Sequence, residues 1–406
     1  MVNILGINLS EFNQAEVLKK IADFLKDGKQ HYIVTPNPEI ILSSHKDEEF
    51  FYVLNKADLS LADGFGLKIA ALIFGKKLPR VTGADITIEL LKTAAENKTR
   101  VLILNWDNSL SQPEEISDAL NKKFPGLIFL VINISRDLIL NQQVIEKINS
   151  FAPAILFNTL GFPFQEKLMY HNLAKLPTVK VALGIGGSFD FITEKIKRAP
   201  KIFRALGLEW LWRLGNAFKY RDSGRRIKRI YQATFVFLGK VFKVKFLNPY
   251  LYRKNVACFL FKREAGKIKV LLVERRDEAN HWQLPQGGTD GEDAEKAGKR
   301  EIQEETGLTN IKTVATYKSI HRYSFPKLKA SETFHGSRRY MNDYKGQQQD
   351  LYIAELENLN QEIKINFWDH ANFKWVELDN LLASLHPYRR PGAEIFLKKF
   401  KSLNIN

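Results

Sequence analysis

The sequence predicts an α/β protein in two parts: an N-terminal doubly wound parallel sheet, then a smaller domain of β-rich segments around one long polar helix. Three observations carry this reading. Short apolar runs alternate with helix-length segments through the first 200 residues, the pattern changes after Asn248-Pro249, and 406 residues suit two or three domains. A hydrophobic content of 45% supplies real cores, which excludes disorder and collagen-like repetition. One cysteine, Cys258, excludes an internal disulfide and fits a reducing compartment. No apolar run approaches the ~20 residues that span a bilayer. Met1 to Glu11 lacks the features of a signal peptide, so a cytoplasmic protein is expected.

The predicted strands of the first half are His31–Thr35, Val101–Asn105, Leu127–Ile132, Ala154–Thr159 and Val179–Leu183, with helices such as Ala84–Asn97, Pro113–Lys123 and Gln143–Ser150 between them. A sheet wound this way binds ligands beyond the carboxyl ends of its strands. Polar and glycine clusters fall at those places: Thr35-Pro36-Asn37-Pro38-Glu39, Ala62-Asp63-Gly64-Phe65-Gly66, Arg80-Val81-Thr82-Gly83-Ala84-Asp85, Leu160-Gly161-Phe162-Pro163-Phe164-Gln165-Glu166 and Gly184-Ile185-Gly186-Gly187-Ser188-Phe189-Asp190. Glycines there let the backbone approach a phosphate or sugar, and amides and hydroxyls fix its orientation. Each cluster alone is also ordinary turn chemistry.

The net charge of +16 is uneven. Residues 201–250 hold twelve Lys/Arg against two acids, Glu209 and Asp222, a net +10 interleaved with Trp210, Trp212, Phe218, Tyr220, Tyr231, Phe235, Phe237, Phe242 and Phe246. Rings entering a headgroup boundary while Lys and Arg meet anionic lipid describe an interfacial helix. A solvated basic linker whose aromatics pack on a neighbouring domain is the alternative. The domain boundary is expected within residues 240–252, dividing the chain into a domain at 1–200, a basic aromatic appendage and linker at 201–249, and a domain at 250–406.

Taken in order, the five clusters resemble the WecG/TagA/CpsF glycosyltransferase family over roughly residues 1–230, including the closing runs Lys197-Arg198-Ala199-Pro200 and Gly207-Leu208-Glu209-Trp210-Leu211-Trp212-Arg213-Leu214. The resemblance implies transfer of an N-acetylmannosamine-type sugar from a UDP donor to a polyprenyl-diphosphate-linked acceptor at the inner membrane face. It implies no metal cofactor for the transferase, and the sequence has no Asp-X-Asp cluster there. It casts Asp63 as the general base that deprotonates the acceptor hydroxyl, against a turn-capping role. Thr35 and Asn37 match sugar- or acceptor-binding positions, and Gln165 matches the amide of the Gly-X-Pro-X-Gln-Glu motif. Gly184 and Gly186 belong to the glycine cluster after the last strand. Arg80 and Asp85 belong to a matching motif but equally suit a structural ion pair. Arg213, Arg221 and Arg225 resemble the appendage that meets the lipid diphosphate, a bidentate task that suits arginine. Two places depart from the family pattern: Asn105-Trp106-Asp107-Asn108 stands where a Gly-Gly loop is usual, and Thr193-Glu194 where a glycine is usual after Phe-Asp-Phe.

In the second half, Gly287-Gly288-Thr289-Asp290-Gly291-Glu292 leads into Arg300-Glu301-Ile302-Gln303-Glu304-Glu305-Thr306-Gly307-Leu308. With Glu292–Glu305 as one helix stopped by Gly307, Glu301, Glu304 and Glu305 fall within an arc of roughly 100°. Carboxylates that close repel each other, and divalent cations between them relieve the repulsion. Arg300 suits orienting one of them. A solvated acidic helix face leaves the spaced glycines and Arg-Glu unexplained. The pattern is identified as a Nudix box, with the Gly287–Gly291 loop one residue short. It implies an α/β/α Nudix domain with a mixed sheet that uses Mg²⁺ or Mn²⁺ to hydrolyse a diphosphate, with Gly287 and Gly288 at the substrate. Trp282-Gln283-Leu284-Pro285-Gln286, Tyr323-Ser324-Phe325-Pro326, Gly346–Tyr352 and Phe373–Val376 are similar to RNA pyrophosphohydrolases and diadenosine polyphosphate hydrolases. That implies a nucleoside polyphosphate or RNA 5′ end as substrate and casts Asp369 as a further metal ligand or base. Arg275, Arg276, Arg338, Arg339, Arg389 and Arg390 are candidates for extra phosphates, and Tyr323 or Phe325 for base stacking. His281 and His321 lie near these motifs, and Cys258 reads as a packing thiol.

The expectation is therefore a bifunctional enzyme, a sugar transferase fused to a Nudix pyrophosphohydrolase, peripheral on an anionic membrane surface and compatible with a homo-oligomer. Two alternatives stay open from sequence. In one, a catalytically dead lipid-docking module carries the hydrolase; in the other, the basic stretch binds RNA.

Overall fold

The computed structural model describes residues 1–200, 202–203, 211–212, 223–325 and 343–405. The chain divides into two compact units, Met1–Lys245 and Phe246–Asn406.

The first unit opens on a hairpin of β1 (Val2–Ile4) and β2 (Ile7–Leu9), turned by Leu5 at φ 51° and Gly6 at φ 87°. The remaining strands form one all-parallel sheet in the order β4-β3-β8-β7-β5-β6. Here β3 is His31–Val34, β4 Leu59–Ser60, β5 Arg100–Trp106, β6 Ile128–Ile134, β7 Ile155–Asn158 and β8 Val181–Gly184. Strands β3, β7 and β8 are buried along their whole length, as parallel strands covered by helices on both faces must be. Val17, Ile33, Ile103, Phe157, Val181 and Leu183 belong to one core beneath them. The five sequence-predicted strands and three helices all form, with ends displaced by no more than two residues. The two-residue β4 was too short to leave a pattern of its own.

Helix starts are set by local polar chemistry. Asn13, Asn37, Asp47, Thr82 and Asn141 each accept a backbone N–H of the helix they precede. The basic stretch becomes a helix at Ser223–Tyr231 that continues through two π-helical turns as far as Leu247. In the first unit Phe237, Val241 and Val244 are buried, while Tyr231, Phe235 and Phe242 are more than half exposed. Arg229 holds Glu39 through two bonds of 2.7 and 3.0 Å, and Lys240 contacts His45 Nδ1. Burial and that ammonium push the His45 imidazole down to about 4. No described helix is long and apolar enough to cross a membrane.

The second unit is built on a mixed sheet with the path β11-β10-β9-β14-β13; β12 also pairs with β9, and β15 with β10. Its strands are β9 Tyr252–Glu264, β10 Lys267–Arg275, β11 Trp282–Gln283, β12 Gln286–Gly288, β13 Ile311–Ser324, β14 Gly346–Leu356 and β15 His370–Glu377. Only β14 with β9 is parallel in this sheet. The two-residue period of β9 sorts its side chains: Val256, Cys258 and Leu260 pack with Ala297 and Ile302 of the helix Ala294–Thr306, and Ala257, Phe259 and Phe261 pack with Phe396 and Phe400 of the helix Arg390–Lys401. The result is the expected α/β/α arrangement around a mixed sheet. The polar helix starts two residues later than the sequence suggested, because Asp293 caps Lys296 N; it ends on Gly307 at φ 73°.

That helix lies close on the sheet at Gly298, where an added Cβ would meet the Tyr352 ring 2.3 Å away. Gly298→Ala is expected to destabilise the second unit by about 1–3 kcal/mol, seen as a lower urea midpoint for the transition that reports it.

Candidate active sites

In the first unit, the sheet order brings the loops after β3, β4, β7 and β8 to one edge. Thr35 Oγ1 donates to the carbonyl of Gly184 at 3.0 Å, joining the ends of β3 and β8. Asp63 N donates to Pro36 O at 2.8 Å, Val81 N to Ala62 O at 3.1 Å, and Gly83 N to Asp63 Oδ2 at 3.2 Å. The clusters carrying Thr35, Asn37, Asp63 and Arg80–Asp85 therefore share one corner. Gly83 begins a helix, so the N–H that reaches Asp63 is one of the first-turn donors with no partner inside the helix. Asn37 spends its side-chain oxygen on Ile40 N at 2.9 Å, as a helix cap. Arg80 is half-buried in the same corner. Asp85 makes an ion pair with Arg198 at 2.7 Å.

Gln165 joins the loops after β7 and β8. Its Oε1 accepts Gly186 N at 3.0 Å and its Nε2 donates to Glu166 Oε1 at 2.7 Å. Gly184 is needed at this contact, since a Cβ there would lie 2.8 Å from the Gln165 amide nitrogen. Glu166 was not singled out from sequence. It is fully buried, its Oε2 has no hydrogen-bond partner, and burial raises its carboxyl to about 7.

Both departures from the family pattern have a structural answer. Asn105 is buried and closes its loop: its amide donates to Asn133 Oδ1 at 2.8 Å, Ser109 Oγ at 2.9 Å and Ser111 O at 3.0 Å, while its oxygen accepts Thr159 Oγ1 at 3.0 Å. Glu194 adopts φ 64°, the left-handed backbone that a glycine would take freely, and its carboxylate binds Lys123 at 2.6 Å. Arg213 and Arg221 lie outside the described residues, as do Arg338 and Arg339; Arg225 falls on the helix Ser223–Tyr231, with its side chain outside the description.

In the second unit, Arg300 organises the acidic helix. It donates to Glu292 at 2.9 Å, Glu301 at 2.8 Å, Glu304 at 3.0 Å and the carbonyl of Gly288 at 2.7 Å. Glu301 and Glu305 are buried, and Glu305 Oε2 accepts Gln286 N at 3.3 Å. Gly287 packs directly on Glu301: an added Cβ would lie 1.9 Å from the carboxylate. The short loop is turned by Asp290 at φ 47° and Gly291 at φ 89°, and Glu292 N closes it on Thr289 O at 2.7 Å.

Asp369 immediately precedes β15, and its carbonyl accepts Arg276 N at 2.9 Å. Its neighbour His370, absent from the sequence-derived candidates, places Nε2 3.8 Å from Glu305 Oε1. Burial and the Arg275 charge push that imidazole down to about 4. An adjacent cavity is lined by Gln283, Gln286, His321, Tyr323, Gln349 and Arg389. Tyr323 and Phe325 stand edge to face at 5.8 Å, and Arg389 donates to Tyr323 Oη at 3.0 Å. Cys258 is buried, and burial, with Glu301 and Glu305 adding negative charge, raises its thiol well above the usual value.

The donor set of Glu301, Glu304 and Glu305 fits a hard divalent cation in chemistry: oxygen ligands on one helix face, with Glu301 and Glu305 buried and Glu301 and Glu304 held by a guanidinium. Among the described residues the one group with ligand atoms all within 4.8 Å of one another is a different one, Glu278, His281 and His386. It suits a metal less well. His281 Nδ1 is bonded to Glu278 at 2.7 Å and the two imidazoles stack in parallel at 4.1 Å, so their in-plane lone pairs run side by side.

The model of the "Glycosyl transferase WecG/TagA/CpsF family" matches residues 2–249, and that of the NUDIX domain matches residues 251–400. An N-acetylglucosaminyldiphosphoundecaprenol N-acetyl-beta-D-mannosaminyltransferase of Bacillus spizizenii is 32% identical over 214 residues, 51% of this chain and 81% of that one. A protein of the same name from Staphylococcus aureus is 29% identical over 247 residues, 60% of this chain and 93% of that one. A C. elegans Ap4A hydrolase binary complex is similar at 23% identity over 37% of this chain and 96% of that one, with a TM-score of 0.28.

Gly287→Ala is expected to displace the Glu301 carboxylate and lower divalent-metal-dependent hydrolysis by the NUDIX domain by about 10- to 100-fold, with the far-ultraviolet spectrum unchanged.

Proposed function

We propose that this chain, which belongs to the WecG/TagA/CpsF glycosyl transferase family and carries a NUDIX domain behind it, is a bifunctional enzyme. Its first half transfers an N-acetylmannosamine-type sugar from a UDP donor to a polyprenyl-diphosphate-linked acceptor. Its second half hydrolyses a phosphoanhydride in a nucleoside polyphosphate or an RNA 5′ end. The observation that carries the first half is the convergence of Thr35, Asp63, Gly83, Gly184 and Gln165 at one sheet edge. The observation that carries the second is Arg300 gathering the glutamates of the helix beside the Gly287 loop.

In the transferase, Asp63 takes the proton of the acceptor hydroxyl as that oxygen attacks the anomeric carbon of the donor sugar and the nucleoside diphosphate leaves. The Gly83 N–H orients the Asp63 carboxylate. Thr35 and Gln165 tie the loops after β3 and β7 to the loop after β8 and so fix the Gly184–Gly186 backbone beside the sugar or the phosphates. No metal is assigned to this step. The basic helix, with Tyr231, Phe235 and Phe242 exposed and Lys228 and Arg229 beside them, supports docking on the anionic inner face of a membrane, where a lipid-linked acceptor resides.

In the hydrolase, Glu301, Glu304 and Glu305 would hold Mg²⁺ or Mn²⁺, with Asp369 as a further candidate ligand. Such an ion supplies charge neutralisation of the diphosphate and a more acidic water. Arg300 keeps Glu301 and Glu304 oriented toward it, and Gln286 N does the same for Glu305.

The test uses full-length chains and two assays. Asp63→Asn is expected to lower radiolabelled sugar transfer by about 10²- to 10⁴-fold and spare hydrolysis, whereas Glu304→Gln and Glu305→Gln abolish hydrolysis of a nucleotide panel and spare transfer. Full transfer by the Asp63 variant excludes it as the base, and undiminished hydrolysis in both glutamate variants refutes the metal site.

A further inference from the structure

We infer that Arg136 is an anion-binding residue of the first unit, placed to grip the diphosphate of a ligand lying along the sheet edge. The nature of that ligand rests on the transferase reading above; the site itself rests on the following geometry.

Arg136 follows β6 and reaches across the carboxyl edge, where its Nε donates to Leu160 O, just after β7, at 2.8 Å. Its guanidinium carbon lies 3.6 Å from the centre of the Trp106 ring and 5.1 Å from that of Phe164. Two aromatic rings and a carbonyl therefore fix the plane of the group before any ligand arrives. Trp106 is itself anchored, its N–H donating to Thr159 Oγ1 at 3.2 Å. A guanidinium so held loses little freedom when its terminal N–H groups engage an anion.

The charge has no carboxylate in ion-pair contact among the described residues, although it is half-buried. Burial pulls its affinity for the proton down, and Asp107 opposes this only at longer range. A partly desolvated cation without a counterion is unfavourable in the empty site and is relieved when a phosphate supplies the missing charge. The adjoining backbone leaves room for one. Gly161 sits at φ 74°, and a Cβ there would stand 3.3 Å from Arg136 NH2, crowding the face that points into the loop.

The position also has the right reach. Leu160 follows β7, and Thr35 follows β3, two strands away in the sheet order. That is about 10 Å at the usual strand spacing, so one extended ligand touches both Arg136 and the Thr35–Asp63 corner. A diphosphate meets this description in the nucleotide-sugar donor and in the lipid-linked acceptor alike.

The experiment measures binding to the full chain in EDTA, which silences hydrolysis, with three probes: UDP, uridine, and a short-chain polyprenyl diphosphate. Arg136→Met is expected to weaken a diphosphate probe by about 10- to 100-fold, leave uridine unchanged and flatten the salt dependence. Arg136→Lys is expected to recover part of the loss. Weakening confined to UDP assigns the donor; weakening confined to the lipid probe assigns the acceptor. Unchanged binding of both diphosphates by Arg136→Met, with an unchanged melting temperature, overturns the inference. So does equal weakening of uridine, which would mark a structural role. Arg136-dependent UDP binding in a chain that transfers no sugar keeps this inference and discards the transferase reading.

Discussion

The second unit depends on one electrostatic constraint: carboxylates crowded onto one helix turn must be held apart from water and from each other by something positive. Arg300 meets part of that constraint within the chain, bonding Glu301 and Glu304 of the helix, Glu292 before it and a loop carbonyl at once. Much of the surrounding structure serves that placement. Gly287 lets the loop lie on Glu301, Gly298 lets the helix lie on Tyr352, and Gln286 N reaches Glu305 from the strand pair beside it. A guanidinium shared among carboxylates satisfies part of their charge and leaves the rest for a cation, so the same interaction stabilises the fold and prepares the chemistry.

The first unit solves a different problem in a different way. Its central strands are buried along their length, and a sheet of this kind takes its ligands at the carboxyl edge. There the side chains act in pairs that join neighbouring loops: Thr35 with Gly184, Gln165 with Gly186, Asp63 with Gly83. Rigidity at this edge comes from hydrogen bonds between loops, while chemical variety comes from which side chains stand among them. Trp106 at the end of β5 and Arg136 after β6 lie toward the far end of that edge from the corner that contains Asp63.

The sequence revealed the parts governed by periodicity and spacing. Apolar strands such as β5 and the polar helix ending at Gly307 were legible because a strand buried on both faces reads as an unbroken apolar run and a helix stop reads as a spaced glycine. Strand β4, with two residues, carries no period, yet it places Asp63. Side-chain partners were the least legible. Asp85 finds Arg198, 113 positions away, and His370 reaches Glu305 through the pairing of β15 with β10. Arg136 gave no signal at all: one arginine after an edge strand looks like any solvated cation until folding sets Trp106 and Phe164 against it. Glu194 is the reverse case. Its residue type departs from the family pattern, but its left-handed backbone retains the shape that a glycine would have given.

The central claim is that one chain holds two sites with separate chemical requirements, a carboxylate base at a sheet edge and a cation-dependent acidic helix. The most direct measurement follows both reactions in one sample of the full chain while divalent metal is removed with EDTA and then restored with Mg²⁺. The account predicts that nucleotide hydrolysis disappears and returns, while sugar transfer to the lipid-linked acceptor continues throughout. Loss of both activities together on chelation, or hydrolysis that persists without metal, would contradict it.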